Sequence, residues 1–192
     1  MRKLPVILLS IFLISFIASS AFSLREGRGI MEVFVNLKVY DAKGTLIKDI
    51  TMRDPLTQAM GGFVNRLLFW TASATDESGT SRSLGTGVSG PVYICVGTGS
   101  PVNPAYSDYK LVYLLQCVQA SQSTMSIVGN RGSISLSASF AFSQQYTITE
   151  VGLRKYLSYN YLLAHDALPS PVTVPAGGKL TVTYIIRINS GV

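Results

Sequence analysis

The sequence predicts a mainly β protein: a single antiparallel β-sandwich of jelly-roll type with one short packed helix, preceded by an N-terminal signal peptide. Two stretches alternate apolar and polar residues, as strands with one buried face do. Their apolar positions are Ile134, Leu136, Ala138, Phe140 and Phe142, then Leu180, Val182, Tyr184, Ile186 and Ile188. One buried face per strand is typical of antiparallel sheets that pack against a second layer. The length of 192 residues suffices for one domain with a core.

The first 23 residues have the layout of a secretory signal peptide. Met1–Lys3 is basic, and Leu4–Ala18 is almost entirely apolar. Small residues then allow cleavage after Ala21 or Ser23. The alternative is an uncleaved anchor, because about 20 apolar residues just span a bilayer. We favour cleavage, which predicts a secreted, extracellular or cell-surface protein with no other membrane segment.

Residues 24–40 are predicted to form an N-terminal strand, followed by a sandwich domain at residues 41–192. One face of this strand carries Met31, Val33, Val35, Leu37 and Val39. A turn at Asp41–Gly44 returns the chain as a hairpin. The simpler interpretation is the first hairpin of an ordinary sandwich. The alternative is a donor strand, since a strand beside a free N-terminus can complete the sheet of a neighbouring molecule.

Asp54-Pro55 predicts the start of the helix, with Asp as N-cap and Pro in the first turn. Apolar residues follow at helical spacing to about Trp70, although Gly61-Gly62 weakens the helix. The polar stretch Thr71–Gly90 is long for a plain loop, so we expect a functional rim, a mobile arm or a short strand there. Its two carboxylates, Asp76-Glu77, could help bind a cation such as calcium, although such sites usually need six or more oxygens.

The middle of the chain is predicted to form further short strands. Pro91–Val96 is predicted to be a buried strand, and Leu111–Val118 is compatible with helix or strand. A strand at Thr124–Val128 leads through a hairpin turn at Gly129–Gly132 into the alternating stretch. Beyond that stretch we expect two more strands, one of them tyrosine-rich, and a turn at Pro169–Gly178.

Cys95 and Cys117 are the only cysteines. Outside the cell they can pair as one disulfide, or they can be two buried thiols that act as small apolar side chains. With one histidine and no CxxC spacing, the chain does not readily supply four zinc ligands. We therefore predict no metal site and no other cofactor.

No catalytic residue is predicted. His165 is the single histidine, and Asp166 points to the opposite face of the strand, so the two do not start a triad. Glu150 is interpreted as a buried, paired structural carboxylate. Gly97-Thr98-Gly99 lacks the third glycine and the helix of a nucleotide-binding turn, so we interpret it as a turn that leaves the sheet. We expect the protein not to be an enzyme.

The charged and aromatic residues bear on two further alternatives, nucleic-acid binding and glycan binding. The net charge is +6, but only 14% of residues are charged and Lys and Arg are scattered rather than clustered, so no nucleic-acid partner is predicted. Four tyrosines suggest a glycan-binding face, although tyrosine also favours strands for packing reasons. They are Tyr146, Tyr156, Tyr159 and Tyr161.

Several short segments form an ordered pattern along the chain: Asp54–Thr57, Asp76–Arg82, Val96–Ser100, Ser107–Leu111, Ile148–Leu153, Leu162–Ala164, Pro171–Val174 and Lys179–Tyr184. In this order they resemble β-sandwich structural proteins of prokaryotic viruses and related archaeal surface proteins. The resemblance implies a structural role and brings no catalytic residues. Virion proteins normally lack a signal peptide, whereas this chain is predicted to have one. A secreted sandwich with a free N-terminal strand is similar to the subunits of archaeal extracellular filaments that join by donor-strand exchange.

The sequence thus favours a structural subunit of an extracellular filament, pilus or other surface appendage, which polymerises with copies of itself. In this hypothesis the N-terminal strand enters a groove on the next subunit, and its five apolar residues set the register. The alternatives are a virus-derived, membrane-anchored structural or attachment protein and a secreted glycan-binding module.

Overall fold

The computed structural model describes residues 31–53, 57–62, 73–84, 90–100, 105, 107–123, 125–129 and 131–189. The predicted signal peptide, the Asp54-Pro55 helix start and the predicted helix beyond residue 62 lie outside this part of the chain. The described part is mainly β, with one helical stretch at 58–62. No helix in it is long and apolar enough to cross a membrane.

The strands are numbered in chain order: β1 Met31–Tyr40, β2 Leu46–Arg53, β3 Ser73–Thr75, β4 Ser81–Ser83, β5 Val92–Gly97, β6 Leu114–Gln119, β7 Ser121–Gln122, β8 Ser126–Val128, β9 Arg131–Ala141, β10 Tyr146–Tyr156, β11 Asn160–Val174 and β12 Lys179–Asn189. All their pairings are antiparallel. The stretch Leu111–Val118, which fitted helix or strand, contains strand β6.

The first sheet has the order β2-β1-β12-β9, and both β7 and β8 pair with the outer side of β9. All ten residues of β1 pair with β12, from Met31 opposite Ile188 to Tyr40 opposite Lys179. The alternation predicted for this sheet is confirmed over most of β9 and β12, whose apolar sets turn inward, but Ile188 near the end of β12 is 52% exposed. Phe140, Leu180, Val182 and Tyr184 are among the fully buried side chains.

The second sheet has the order β11-β10-β5-β6, and β3 with β4 forms a separate hairpin. Buried side chains of both larger sheets belong to one hydrophobic cluster, which includes Val35 and Phe140 from the first sheet and Ile94 and Val151 from the second. The chain crosses between the larger sheets at Ala120, after β9 and after β11. The predicted single core is therefore present.

Strand β11 differs from the prediction, because it runs through the two prolines that were assigned to a turn. Ile148 on β10 lies opposite Val172, but Glu150 lies opposite Ala167, so β11 has extra residues at this point. Such a bulge accommodates proline, which has no N–H to donate to the ladder. The turn is confined to residues 175–178, where the amide of Gly178 donates to the carbonyl of Pro175 (2.9 Å).

The helical stretch 58–62 is fixed against β11 by the residue that precedes it, Thr57. The Thr57 amide donates to the carbonyl of Leu163 (3.1 Å), and the Thr57 hydroxyl donates to the carbonyl of Leu162. Gly62 allows the end of the helical stretch to lie close to the backbone of Ser73, since a Cβ there would lie 2.5 Å from the carbonyl oxygen of Ser73. The polar stretch 71–90 contains a short hairpin, β3–β4, which confirms one of its three interpretations.

Cys95 and Cys117 lie directly opposite each other on β5 and β6 and form a disulfide. Cys95 is buried, whereas Cys117 is partly exposed on a strand that pairs with β5 alone among the described strands. The disulfide therefore fastens an outer strand of the second sheet covalently to its only described neighbour.

Replacing both cysteines by alanine should lower the free energy of unfolding by about 3 kcal/mol, because the bond closes a loop of roughly 20 residues in the unfolded chain. Urea denaturation of the wild type and of the Cys95→Ala/Cys117→Ala variant measures the difference. Dithiothreitol should lower the stability of the wild type and leave that of the variant unchanged. Equal stability of the two oxidised proteins would contradict this expectation.

Candidate functional site

Three ionisable side chains from distant parts of the chain meet in one cluster: the buried Glu150 and His165 and the partly exposed Asp108. The Nδ1 atom of His165 lies 2.7 Å from Oδ2 of Asp108, and its Nε2 atom lies 3.0 Å from Oε2 of Glu150. Strand pairing brings two of them together, because His165 lies opposite Gly152, which is two residues from Glu150 on the same face of β10. Glu150 and His165 are almost entirely buried, at 0% and 2% exposure.

The carboxylate of Glu150 also accepts hydrogen bonds from the connection between β5 and β6. Backbone amides donate to it from Gly99 (3.1 Å), Val112 (2.9 Å) and Tyr113 (2.7 Å). One side chain on β10 thus holds both ends of this connection, and Asp108 in its middle is held through His165. The predicted buried, paired carboxylate is confirmed.

The two glycines of the Gly97-Thr98-Gly99 segment make room for this carboxylate. A Cβ at Gly99 would lie 2.5 Å from Oε1 of Glu150 and 2.8 Å from the Tyr113 nitrogen, and a Cβ at Gly97 would also overlap Oε1. The segment does leave the sheet, as predicted. Its glycines are required by close packing on a buried charge, which the sequence interpretation did not include.

Glu150 and His165 stabilise each other in their charged forms. Burial alone raises the pKa of Glu150, but hydrogen bonds from His165 and from the amides of Tyr113 and Val112 outweigh burial, so its pKa lies below the ordinary value. Burial alone lowers the pKa of His165, but hydrogen bonds to Glu150 and Asp108 outweigh burial, so its pKa lies above the ordinary value. When His165 is protonated, its two ring N–H groups donate to Asp108 and to Glu150.

This geometry is better suited to holding the connection between β5 and β6 in place than to proton transfer. A general base needs one ring nitrogen within reach of the proton that it removes from a substrate. Both nitrogens of His165 are bonded to carboxylates, and Glu150 is surrounded by amides. The sequence pointed only to Asp166 as a possible partner of His165, whereas the actual partner, Asp108, lies 57 residues away along the chain.

A second polar cluster attaches the β3–β4 hairpin to the second sheet. Asp76 accepts hydrogen bonds from the amides of Ser78 and Thr80 and from Nε of Arg82 (2.6 Å). The hydrogen bond from Arg82, followed by that from the Ser78 hydroxyl, holds the pKa of Asp76 well below its usual range. The guanidinium of Arg82 in turn lies 3.8 Å from the centre of the Tyr159 ring.

The neighbouring carboxylate makes a second attachment. Glu77 accepts two hydrogen bonds from Arg154 on β10, at 2.7 and 2.6 Å. Burial raises the pKa of Glu77, and the hydrogen bonds from Arg154 oppose that rise. The Asp76-Glu77 pair, considered above for calcium, is therefore bonded to two arginines. Among the described residues, no group of three or more potential ligands is arranged to hold a metal ion.

The four tyrosines of the glycan-binding alternative do not share one exposed face. Tyr161 is buried, and Tyr146 packs on Phe142 with ring centres 5.2 Å apart. Tyr156 and Tyr159 are exposed, and Tyr159 has Arg82 against one face of its ring. Only these two tyrosines remain on a surface that a sugar could reach.

The predicted donor-strand residues lie inside the chain's own first sheet. Val33, Val35, Leu37 and Val39 are at most 1% exposed, and Met31 is partly exposed. In this single chain β1 pairs with β12 on one side and with β2 on the other. The segment therefore completes its own sheet here.

Searches against models of protein families, curated proteins and solved structures found no match to this chain. The functional argument therefore depends on the geometry described above.

Raising the pH should weaken the folded state through His165. Because its pKa is higher in the folded chain, its stabilisation is complete below about pH 6.5, the unfolded value, and is lost as pH rises through the folded pKa. In that window the free energy of unfolding should fall by up to about 1.4 kcal/mol per pH unit. Urea denaturation between about pH 5.5 and pH 9 measures this slope.

The control for this experiment is His165→Gln, whose side chain keeps an N–H donor but does not titrate. The variant should lose stability overall, by roughly 3 kcal/mol for a broken buried pair, and its curve should be flat across the same window. His165 is the only histidine, so no other imidazole contributes a slope. A wild-type curve as flat as that of the variant would overturn the assigned charge state.

Substituting Gly99 by alanine should destabilise the protein by roughly 1–3 kcal/mol, because the added methyl group overlaps the Glu150 carboxylate and the Tyr113 amide. The matched control is Gly132→Ala, where a Cβ would meet only the Met125 sulfur, at 3.9 Å. Thermal unfolding should show a lower midpoint for Gly99→Ala and little change for the control. Equal midpoints for the two variants would contradict the packing argument.

Proposed function

We propose that this chain is a structural subunit of an extracellular filament or surface appendage and that it polymerises by exchange of its N-terminal strand. The observation that carries the proposal is the composition and place of β1. It is the first strand that the structure describes, and its inward face is wholly apolar and buried over Val33, Val35, Leu37 and Val39. A strand of this kind can be supplied to the same groove by another copy of the chain.

We also infer that the two larger sheets form a sandwich of the jelly-roll or a related type. Two features support this inference. Inward side chains of both sheets share one hydrophobic cluster, and the chain crosses repeatedly from one sheet to the other. The buried polar groups of Glu150 and His165 are bonded within the chain, which is consistent with a structural role.

Exchange in this fold moves a hairpin rather than a single strand. Strand β2 pairs only with β1 among the described strands, so β2 would lose its hydrogen-bond partner if β1 left alone. Thr57 is tied to β11, whereas β2 ends at Arg53. The exchanging unit is therefore Met31–Arg53, the hairpin of β1 and β2.

The exchanged and unexchanged forms contain the same strand contacts. Each large apolar side chain of β1 contributes roughly 1.5–3 kcal/mol when it is buried, in its own sheet or in that of a neighbour. The choice between the exchanged and unexchanged forms therefore depends on protein concentration. Head-to-tail exchange does not close on itself, so it produces a fibre.

A pair of cysteines placed across β1 and β12 distinguishes the two forms. Lys38 lies opposite Thr181, and opposite residues of antiparallel strands are close enough for a disulfide. In Lys38→Cys/Thr181→Cys, an exchanged fibre should give a covalent ladder on non-reducing gels, because each bond joins two subunits. An unexchanged chain should give only a monomer band, since the bond closes within one molecule.

The control is Thr181→Cys alone, which can form at most covalent dimers. Electron microscopy of the same samples shows whether fibres are present. Fibres whose subunits run only as monomers would exclude strand exchange and leave a filament built by another contact. A protein that forms no fibres at any concentration would overturn the filament proposal.

A further inference from the structure

One side of the molecule is built from a segment without charge. Residues 111–130 contain none of the chain's 16 Lys and Arg or 10 Asp and Glu residues. This uncharged segment supplies β6, β7 and β8. It crosses from the second sheet to the first at Ala120, whose amide donates to the carbonyl of Val92 (2.8 Å).

The uncharged segment forms the outer strands of both larger sheets on the same side. Within the described part of the chain, β6 pairs only with β5, and β7 and β8 pair only with β9. No other described strand pairs with the outer N–H and C=O groups of β6, β7 and β8. An open strand edge without charges or prolines readily pairs with another chain.

The same segment carries most of the exposed large apolar side chains of the described residues. They are Val112 (58%), Tyr113 (66%), Leu114 (42%), Met125 (54%), Ile127 (73%) and Val128 (76%). Ile127 and Val128 are consecutive in a strand, so they point to opposite faces of it. Since both are exposed, neither face of β8 is covered.

The opposite edge of the first sheet is different. Strand β2 carries Lys48, Asp49 and Arg53, and Asp49 forms an ion pair with Lys38 (3.5 Å). Charges on an edge strand oppose association. The contrast identifies the β6–β8 side, and not the β2 side, as a contact surface.

We propose that the uncharged side, residues 111–130, is a self-association surface that binds the same surface of a second copy. This side carries no charge, so two copies that bring it together meet no repulsion between like charges. Nucleic acid and anionic membranes attract Lys and Arg, which this side lacks. Open strand edges are also costly in lipid, because nothing there pairs with them.

The contact is isologous, so it closes when two copies have joined. It adds a lateral pairing of subunits and does not depend on exchange of β1. The buried Glu150 cluster fixes one part of this surface in place, because it binds the amides of Val112 and Tyr113. A fixed surface loses little conformational entropy on binding.

Sedimentation velocity of the secreted protein over a range of concentrations tests the proposal. The wild type should show a reversible dimer. Ile127→Lys should raise the dissociation constant of this dimer at least tenfold, because two lysines are then buried or brought close together. Met125→Lys is a second variant at the same surface and should act in the same direction. Leu46→Lys, at an exposed apolar position on β2 (46%), is the control and should leave association unchanged.

Urea denaturation checks that each variant is folded, which we expect because these side chains are largely exposed. A wild type that stays monomeric, or an Ile127→Lys variant that associates as the wild type does, would overturn the proposal. The disulfide ladder and the fibre images test strand exchange, whereas sedimentation tests the self-association surface. Failure of one proposal can therefore be recognised independently of the other.

Discussion

A carboxylate buried in a β-sheet needs hydrogen-bond donors around it, because an uncompensated charge in a protein interior costs several kcal/mol. Glu150 obtains its donors from two places: the imidazole of His165 on the adjacent strand and three amides of the connection between β5 and β6. The path of that connection follows from this requirement. So does the absence of side chains at Gly97 and Gly99, where any Cβ would overlap the carboxylate.

The effect of this buried charge extends to the surface of the molecule. The connection ends at Val112 and Tyr113, and the chain enters β6 directly afterwards. Glu150 therefore sets the start of the outer strand that the disulfide fastens further along. Titration of His165 affects the same connection between β5 and β6, because Asp108 in that connection is bonded to the imidazole ring of His165. The interior cluster and the exposed uncharged side are consequently parts of one arrangement.

Local patterns in the sequence predicted the strands and their buried faces, since alternation depends only on neighbouring residues. The inward sets of β1, β9 and β12 were identified in this way. The cluster was not predicted, because Asp108 and His165 are brought together by strand register, which alternation does not supply. The long β11 was missed for a similar reason. Its prolines lie in a bulge that exists only because β10 pairs on both sides of it.

Strand β1 shows how one observation bears on both folding and assembly. Its apolar face was expected to fill a groove in a neighbour, and in the single chain it fills the equivalent groove of its own sheet. These are the same contacts, so an intact groove does not by itself separate a monomer from a fibre. The two forms are separated by the energy barrier for detaching β1 from β12. All ten paired residues of β1 must be released before the strand of a neighbour can replace them. Polymerisation by this route is therefore slow to begin and, once complete, equally slow to reverse.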